Sequence, residues 1–285
     1  MHGFAYVAPA SRVEAIGLLR EHGPGARLLA GGTDLIVGLR AGRLSARLVV
    51  DLKGVDDLRP AVEAFGDRVR IAATTPMSRV IRDEHVRRHF PALVEAASVV
   101  GSVQIRNRAT LAGNICNASP AADTAPALLI YGAEVVIATD HGERRLPLDR
   151  FLVGPRQTAL GPTELVSAIE LPIPQPGSVA GFARLTRRRG VDLATISMGC
   201  SIDGSGRITF AYGAVAPVPF VVSDDSGILA DPQADPAERD ATLAALTAHA
   251  RPISDVRASR AYRQAMLLVL SRRLVRSLVA RRPGA

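Results

Sequence analysis

Residues 106–126 read Arg-Asn-Arg-Ala-Thr-Leu-Ala-Gly-Asn-Ile-Cys-Asn-Ala-Ser-Pro-Ala-Ala-Asp-Thr-Ala-Pro. Small and short polar side chains dominate this run, so it has too little bulk to build a hydrophobic core. It does let the backbone come close to something large and polar. Ala112 is small, and Gly113 has no Cβ to hold a neighbour away. Thr110, Asn114 and Ser119 offer hydroxyl and amide groups of a length suited to phosphate and ribitol oxygens. Asp123 is an acceptor suited to a ribose hydroxyl. Pro120 fits the first turn of a helix predicted over Pro120–Tyr131, because its missing N–H would be unpaired there anyway. The same residues also suit a capped helix with a polar entry loop, and residue chemistry leaves both readings open.

A second small-residue loop lies about 80 residues earlier. Leu29, Ala30, Gly31, Gly32, Thr33, Asp34, Leu35 and Ile36 follow one another between a predicted strand (Ala26–Ala30) and a predicted helix (Thr33–Arg40). The two glycines let the chain turn sharply and press against a ligand. Free N–H groups at a helix start favour a phosphate. A helix N-cap after a tight turn is the competing reading. The spacing is neither Gly-x-Gly-x-x-Gly nor a P-loop, which excludes a dinucleotide-binding Rossmann unit and a P-loop NTPase.

Composition bounds the rest. A chain of 285 residues, 47% of them apolar, has room for two or three subdomains with real cores. No apolar run approaches the ~18 residues of a membrane span. The start, Met-His-Gly-Phe-Ala-Tyr, lacks the pattern of a secretory leader, so the expected location is cytoplasmic. The net charge is +8, and nearly all of the positive charge is Arg, with Lys53 the sole lysine. The arginines are spread along the chain, and no nucleic-acid partner is expected.

Cys116 and Cys200 are too few and too far apart for a disulfide framework or a four-cysteine cluster. Cys116 reads as a small buried filler. The six histidines (His2, His22, His85, His89, His141 and His249) are scattered. His85 and His89 have i, i+4 spacing, but beside Glu84, Arg87 and Arg88 they read as a solvated segment, so no metal is expected. No nucleophile or proton-transfer constellation is evident, and no catalytic residue is assigned.

Three blocks are expected. Residues 1–56 read as a β-α-β unit, with Ser11 and Glu14 forming a capping box ahead of a helix over Val13–His22 and a second strand at Leu48–Asp51. Residues 57–175 hold strands at Val69–Ala73, Glu134–Ala138 and Glu164–Leu171, a helix at Pro91–Val99, and a proline-rich close at 171–176. Residues 178–285 read as an antiparallel meander at 179–186, 193–203 and 206–215, with a hairpin turn at Asp203-Gly-Ser-Gly. Two helices follow, at about 237–249 and 257–280. The last is expected to bury Ala261, Ala265, Leu268, Val275 and Leu278 and to solvate Arg263, Arg272, Arg273 and Arg276. The fold class is α+β.

Together the two loops resemble the FAD-binding medium subunit of molybdenum hydroxylases, the family of xanthine dehydrogenase and carbon monoxide dehydrogenase. The resemblance runs through Ala-Gly-Gly-Thr-Asp-Leu, Arg-Asn-x-Ala-Thr-Leu-x-Gly-Asn and Ala-Ser-Pro-Ala-Ala-Asp-Thr. Near the end, Gly181-Phe-Ala-Arg-Leu-Thr-Arg-Arg-Arg-Gly-Val-Asp-Leu-Ala194 is similar to the start of that family's C-terminal flavoprotein domain. The resemblance implies two FAD-binding subdomains, at 1–56 and 57–175, and a C-terminal α+β domain at 178–285.

FAD is the implied cofactor. Residues 29–36 and 110–114 would cradle its pyrophosphate, while Ser119 and Asp123 would hold its polar chain. Ile71, Thr74, Leu165 and Val166 would sit near its rings, and Arg184 stands where many relatives carry Lys near the isoalloxazine. Ala112 stands where many relatives have Gly. The implied partners are a molybdenum-cofactor large subunit and a [2Fe-2S] small subunit, with electrons passing through FAD to an external acceptor. The alternatives are a stand-alone flavoenzyme of the same fold and a non-enzymatic scaffold that has lost FAD, the latter opposed by the intact loops.

Overall fold

The computed structural model describes residues 3–282; His2 lies outside them. Three main sheets and a two-stranded ribbon, Leu152–Gly154 with Gln157–Thr158, carry the chain. In the N-terminal sheet, Ala5–Val7 and Ala26–Leu29 flank Leu48–Asp51, all parallel. The helix Arg12–His22 crosses between the first two strands and packs Ala15 and Ile16 into that sheet's core. Ser11 Oγ accepts from Glu14 N–H, as a cap should. The Glu14 carboxylate accepts from Ala10 N–H at 2.9 Å rather than from Ser11, so the box closes one residue early.

The central sheet is antiparallel throughout, in the order Val62–Phe65, Arg68–Ala72, Leu165–Pro172, Glu134–Thr139, Gly142–Pro147. One face is covered by short helices around a core that includes Ile71, Leu93, Leu111, Leu128 and Ile169. Its other face carries ion pairs, with Glu170 completely buried among Arg68, Arg70 and Arg145. The C-terminal sheet is the expected meander with one more strand: Val179–Leu185, Ile196–Ile202, Ile208–Gly213 and Phe220–Asp224. The helices Pro236–Thr247 and Arg260–Val279 follow it. This is the expected α+β architecture.

Two sequence expectations fail for identifiable reasons. Pro120 does not open a helix; the helix there is Thr124–Leu129. The Pro120 carbonyl instead accepts from Ala214 N–H at 2.7 Å, which ties the loop to the C-terminal sheet. Nearby, a Cβ on Gly199 would stand 2.7 Å from the Pro126 carbonyl oxygen, so this glycine lets that sheet close against the helix.

The final helix buries Val275 and Leu278 as expected, but otherwise a different stripe. Leu267, Leu270, Leu274, Val275 and Leu278 face inward, while Ala261 and Ala265 are exposed. Arg263 is not solvated but fully buried. Its guanidinium donates to the Thr195 and Ala214 carbonyls and pairs with Asp255 at 2.7 Å. Three acceptors in one place repay the desolvation that periodicity alone assigns to water.

Candidate functional site

The small-residue loops meet across one cleft of about 480 Å³. Ala30, Gly31, Gly32, Thr33, Asp34 and Leu35 line one side, and Thr110, Ala112, Gly113 and Asn114 the other. Leu28, Leu44, Val100, Ile105, Leu160 and Val166 supply apolar wall. The cleft is thus polar along its two loops and greasy elsewhere, which suits a long ligand with a charged middle and flat apolar ends.

The first loop is shaped for close approach. Its helix starts at Leu35, not Thr33, and is only six residues long. Thr33 and Asp34 therefore stay in the turn, and the short helix adds little dipole. The donors are the loop N–H groups themselves. Among the described residues, those of Gly32, Thr33, Asp34 and Leu35 have no protein acceptor. Gly32 has φ +77°, a left-handed value that glycine adopts without strain. Gly31 serves a different purpose from the one expected. A Cβ there would overlap the Arg108 carbonyl oxygen and stand 2.9 Å from Ala109 Cα, so it lets the two loops touch each other.

The second loop is held from behind. Ala109 carbonyl accepts from Met77 N–H at 2.8 Å. Thr110 Oγ1 caps the helix Leu111–Cys116 by accepting from Gly113 N–H at 3.0 Å. Thr124 Oγ1 donates to Asn114 Oδ1 at 2.6 Å, which turns the Asn114 amide nitrogen away as a donor.

Two residues that sequence reasoning missed join this region. Asn117 Nδ2 donates to Asp34 Oδ1 at 3.3 Å, and Asn117 Oδ1 accepts from Arg156 Nη1 at 2.8 Å. Asn117 sat in view within the small-residue run. Nothing around Arg156 signalled it, because its position depends on a left-handed backbone (φ +58°) and on its N–H donating to the Ala118 carbonyl. Lys53 is a third such residue. Its ammonium pairs with Asp51 at 2.6 Å behind the first loop and reaches the Ala30 carbonyl at 3.5 Å.

The remaining expected residues scatter. Leu29 ends its strand and Ile36 is the second residue of the helix, both beside the cleft without lining it. Ser119 Oγ accepts from Ala121 N–H. Ile71 lies in the core of the central sheet, and Leu165 packs into the core of the N-terminal sheet. Strand alternation explains the split between Leu165 and its neighbour Val166, which does face the cleft. Thr74 is buried and donates to the Leu58 carbonyl.

Asp123 and Arg184, expected separately near the ligand, are partners. Arg184 Nη1 pairs with Asp123 at 3.0 Å and donates to the Val99 carbonyl, while Nη2 donates to the Gly190 carbonyl, each at 3.2 Å. Burial outweighs the adjacent guanidinium and pushes the Asp123 carboxyl up to about 6. Asp123 Oδ1 is buried with no partner among the described residues. Cys116 lines the cleft, and burial holds its thiol up at about 12, far from a reactive thiolate. No group of three or more metal-ligating side chains occurs among the described residues. No helix among them is long and apolar enough to cross a membrane.

These features fit a flavin dinucleotide: unpaired loop N–H groups for a pyrophosphate, hydroxyl and amide groups beside them, and apolar walls for flat rings.

Comparison with known proteins agrees. Residues 2–174 match the FAD binding domain in molybdopterin dehydrogenase, and residues 182–278 match the CO dehydrogenase flavoprotein C-terminal domain. The chain is 32% identical to a putative xanthine dehydrogenase FAD-binding subunit of Escherichia coli K12, over 100% of its own length and 99% of the relative's. It is 30% identical to the carbon monoxide dehydrogenase medium chain of Afipia carboxidovorans, over 98% and 97%. Among solved structures, carbon monoxide dehydrogenase from Hydrogenophaga pseudoflava superimposes with a TM-score of 0.90 at 28% identity, covering 99% of both chains. With its two-loop cleft, its three main sheets and both family matches, the chain belongs to the FAD-binding subunits of the molybdenum hydroxylase family.

Proposed function

We propose that this chain is the electron-transfer subunit of a molybdenum hydroxylase complex. In that reading it takes electrons from a [2Fe-2S] subunit, which a molybdenum-cofactor subunit supplies, and passes them to an external acceptor. The observation that carries the proposal is the meeting of the two loops at one cleft, with loop N–H groups free to bind a phosphate. Bound FAD supplies the redox chemistry, accepting and releasing electrons that the protein's own side chains cannot carry.

The chain's residues bind and orient. Gly32, Thr33, Asp34 and Leu35 would donate backbone N–H groups to the pyrophosphate, joined by the Asn114 side-chain amide across the cleft. Ala30 and Ala112 keep the path narrow. Val166, Leu160, Val100 and Ile105 would exclude water from the ring end. The Arg184 guanidinium, held by Asp123 and two carbonyls, would place fixed positive charge near that end and stabilise negative charge developing there. The guanidinium spreads its charge over a wider group than the lysine of many relatives. The blocks 1–56, 57–175 and 178–285 would act as two FAD-binding subdomains and a closing domain, in a cytoplasmic complex.

The visible spectrum and metal content of the purified protein test this reading. Flavin bands at roughly 370 and 450 nm, the range of flavin cofactors, with molybdenum and iron in copurifying subunits, are expected. A lone yellow protein that turns over a small molecule would replace the reading with a stand-alone flavoenzyme. A colourless protein that ignores added FAD would end it.

A further inference from the structure

A second cavity, of about 560 Å³, opens where the FAD-binding domain meets the C-terminal domain, and it shares no lining residue with the cofactor cleft. Arg88, His89 and Tyr131 line it from the first domain, and Ser201, Arg207 and Arg281 from the second. The segment that joins the domains lines it between them, through Pro172, Ile173, Pro174 and Ser178. The volume is in the range of small-molecule sites.

The charge in this lining is unbalanced. Arg88 and Arg281 have no carboxylate partner among the described residues, and Arg207 has only the exposed Asp225, at 3.2 Å. Arg281 is held at the end of the last helix, where its Nε donates to the Ser277 carbonyl at 3.2 Å. The acid in the lining is Asp203. Its carboxylate is spent within its own hairpin turn, accepting from Ser205 N–H, Ser205 Oγ–H and Arg207 N–H.

Tyr131 adds an unused donor. It is only 7% exposed, and its oxygen accepts from Ala92 N–H at 3.2 Å, while its own proton has no acceptor among the described residues. Burial raises the phenol above its ordinary value, so it stays a donor at neutral pH. The Arg281 charge acts on the same phenol, which puts the two groups in one neighbourhood. A buried donor left unpaired is costly, and so an acceptor is wanted here. Unneutralised guanidiniums suit a dianionic phosphate, and the wall of Pro91, Ile173 and Pro174 suits an apolar body attached to it.

We propose that this seam binds a phosphate monoester with an apolar body, its phosphate on Arg88, Arg281 and the Tyr131 hydroxyl and its body against the proline-lined wall. The ligand would touch both domains at once. The site stands independently of the electron-transfer function proposed above.

The test uses the FAD-loaded protein as it purifies, so that the cofactor cleft is already filled. Phenyl phosphate, inorganic phosphate and benzoate are titrated separately by calorimetry. Phenyl phosphate is expected to saturate and to bind more tightly than either of the others. Arg88→Gln/Arg281→Gln is expected to weaken it by at least about tenfold, because hydrogen bonds to charged groups are the strong ones. Tyr131→Phe keeps the ring and is expected to weaken it about threefold. Arg150→Gln/Arg273→Gln makes the same change in net charge at exposed positions outside the cavity and is expected to leave binding unchanged. Flavin absorbance and a thermal melt report that each variant is folded.

No saturable binding of phenyl phosphate overturns the site. Equal weakening by the two arginine pairs also overturns it, as a diffuse charge effect. Tighter binding of benzoate overturns the phosphate assignment, and inorganic phosphate binding as tightly as phenyl phosphate overturns the role of the wall. Release of FAD by phenyl phosphate would put the probe in the cofactor cleft and overturn the second site. A chain that takes up no FAD but still binds phenyl phosphate through Arg88 and Arg281 overturns only the electron-transfer function.

Discussion

Asn117 and Asp34, 83 residues apart, share a hydrogen bond of 3.3 Å that joins the two cofactor loops, and the other end of the same amide holds Arg156 at 2.8 Å. Asn117→Leu keeps the volume and removes both bonds. Each is worth about 0.5–1.5 kcal/mol net, so FAD affinity is expected to fall by on the order of tenfold as the loops lose their common anchor. FAD titration of the apoprotein measures it. Unchanged affinity would show that the bridge does not organise the cleft.

Gly31 and Gly17 make an informative pair. Gly31→Ala drives a methyl into the Arg108 carbonyl, a backbone atom that cannot swing aside. The strain is expected to cost about 1–3 kcal/mol, as overpacking does, and to strip FAD. Gly17 lies on the exposed side of the helix Arg12–His22, with nothing within 4 Å of an added Cβ. Gly17→Ala is expected to stabilise by about 0.5–1 kcal/mol through helix propensity. Thermal melts and flavin content together resolve both, and equal effects at the two sites would sink the steric account.

Arg263 is the charged residue with most to lose. Arg263→Ala leaves Asp255 and the Thr195 and Ala214 carbonyls without their shared donor. Asp255 keeps Arg257, but the two carbonyls are left unpaired at about 1–3 kcal/mol each, so the expected loss is at least about 2 kcal/mol. Denaturant unfolding is the measurement, and a loss below about 1 kcal/mol would mean that water replaces the guanidinium.

Asp123 gives stability a signature in pH. Its carboxyl rises from an ordinary value of 3.8 to about 6 in the folded chain, because burial outweighs the attraction of Arg184. Between those values the native state holds a proton that the unfolded state has released. This group's contribution therefore falls as pH rises from about 4 to about 6 and is flat above. Relative to Asp123→Asn, the wild type is expected to gain about 1–2 kcal/mol at about pH 4.5 compared with pH 7. A parallel pH profile for the two proteins would contradict the buried, proton-linked pair.

The loops were legible in the sequence because glycine, threonine and asparagine at those positions leave few alternatives to a turn and a cap. The strand Leu165–Pro172 was legible because burial on both faces gives a mostly apolar run, and Ile196–Ile202 because Ile196, Met198, Cys200 and Ile202 alternate with Ser197, Gly199 and Ser201. Gly142–Pro147, reading Gly-Glu-Arg-Arg-Leu-Pro, was not: it is an edge strand whose side chains form ion pairs rather than core. Arg263 and Arg156 were opaque for a related reason. Most of their partners are backbone carbonyls and an amide brought in by distant segments, and Arg263's carboxylate partner, Asp255, lies outside the helix, so local periodicity records nothing about them. Both halves of the cleft were legible, but the contact between them was not. Gly31 looked like room for a ligand and proved to be room for the other loop.

The obstacle beside Gly31 is main chain, and that shapes how this protein can change. A side-chain clash can be relieved by trimming the neighbour, so such positions drift as tradable pairs. Here every one of the twenty residues at position 108 presents the same carbonyl. No second substitution there can compensate for a first at 31. A mutational library aimed at retuning the cofactor has no freedom at this one crossing of the chain.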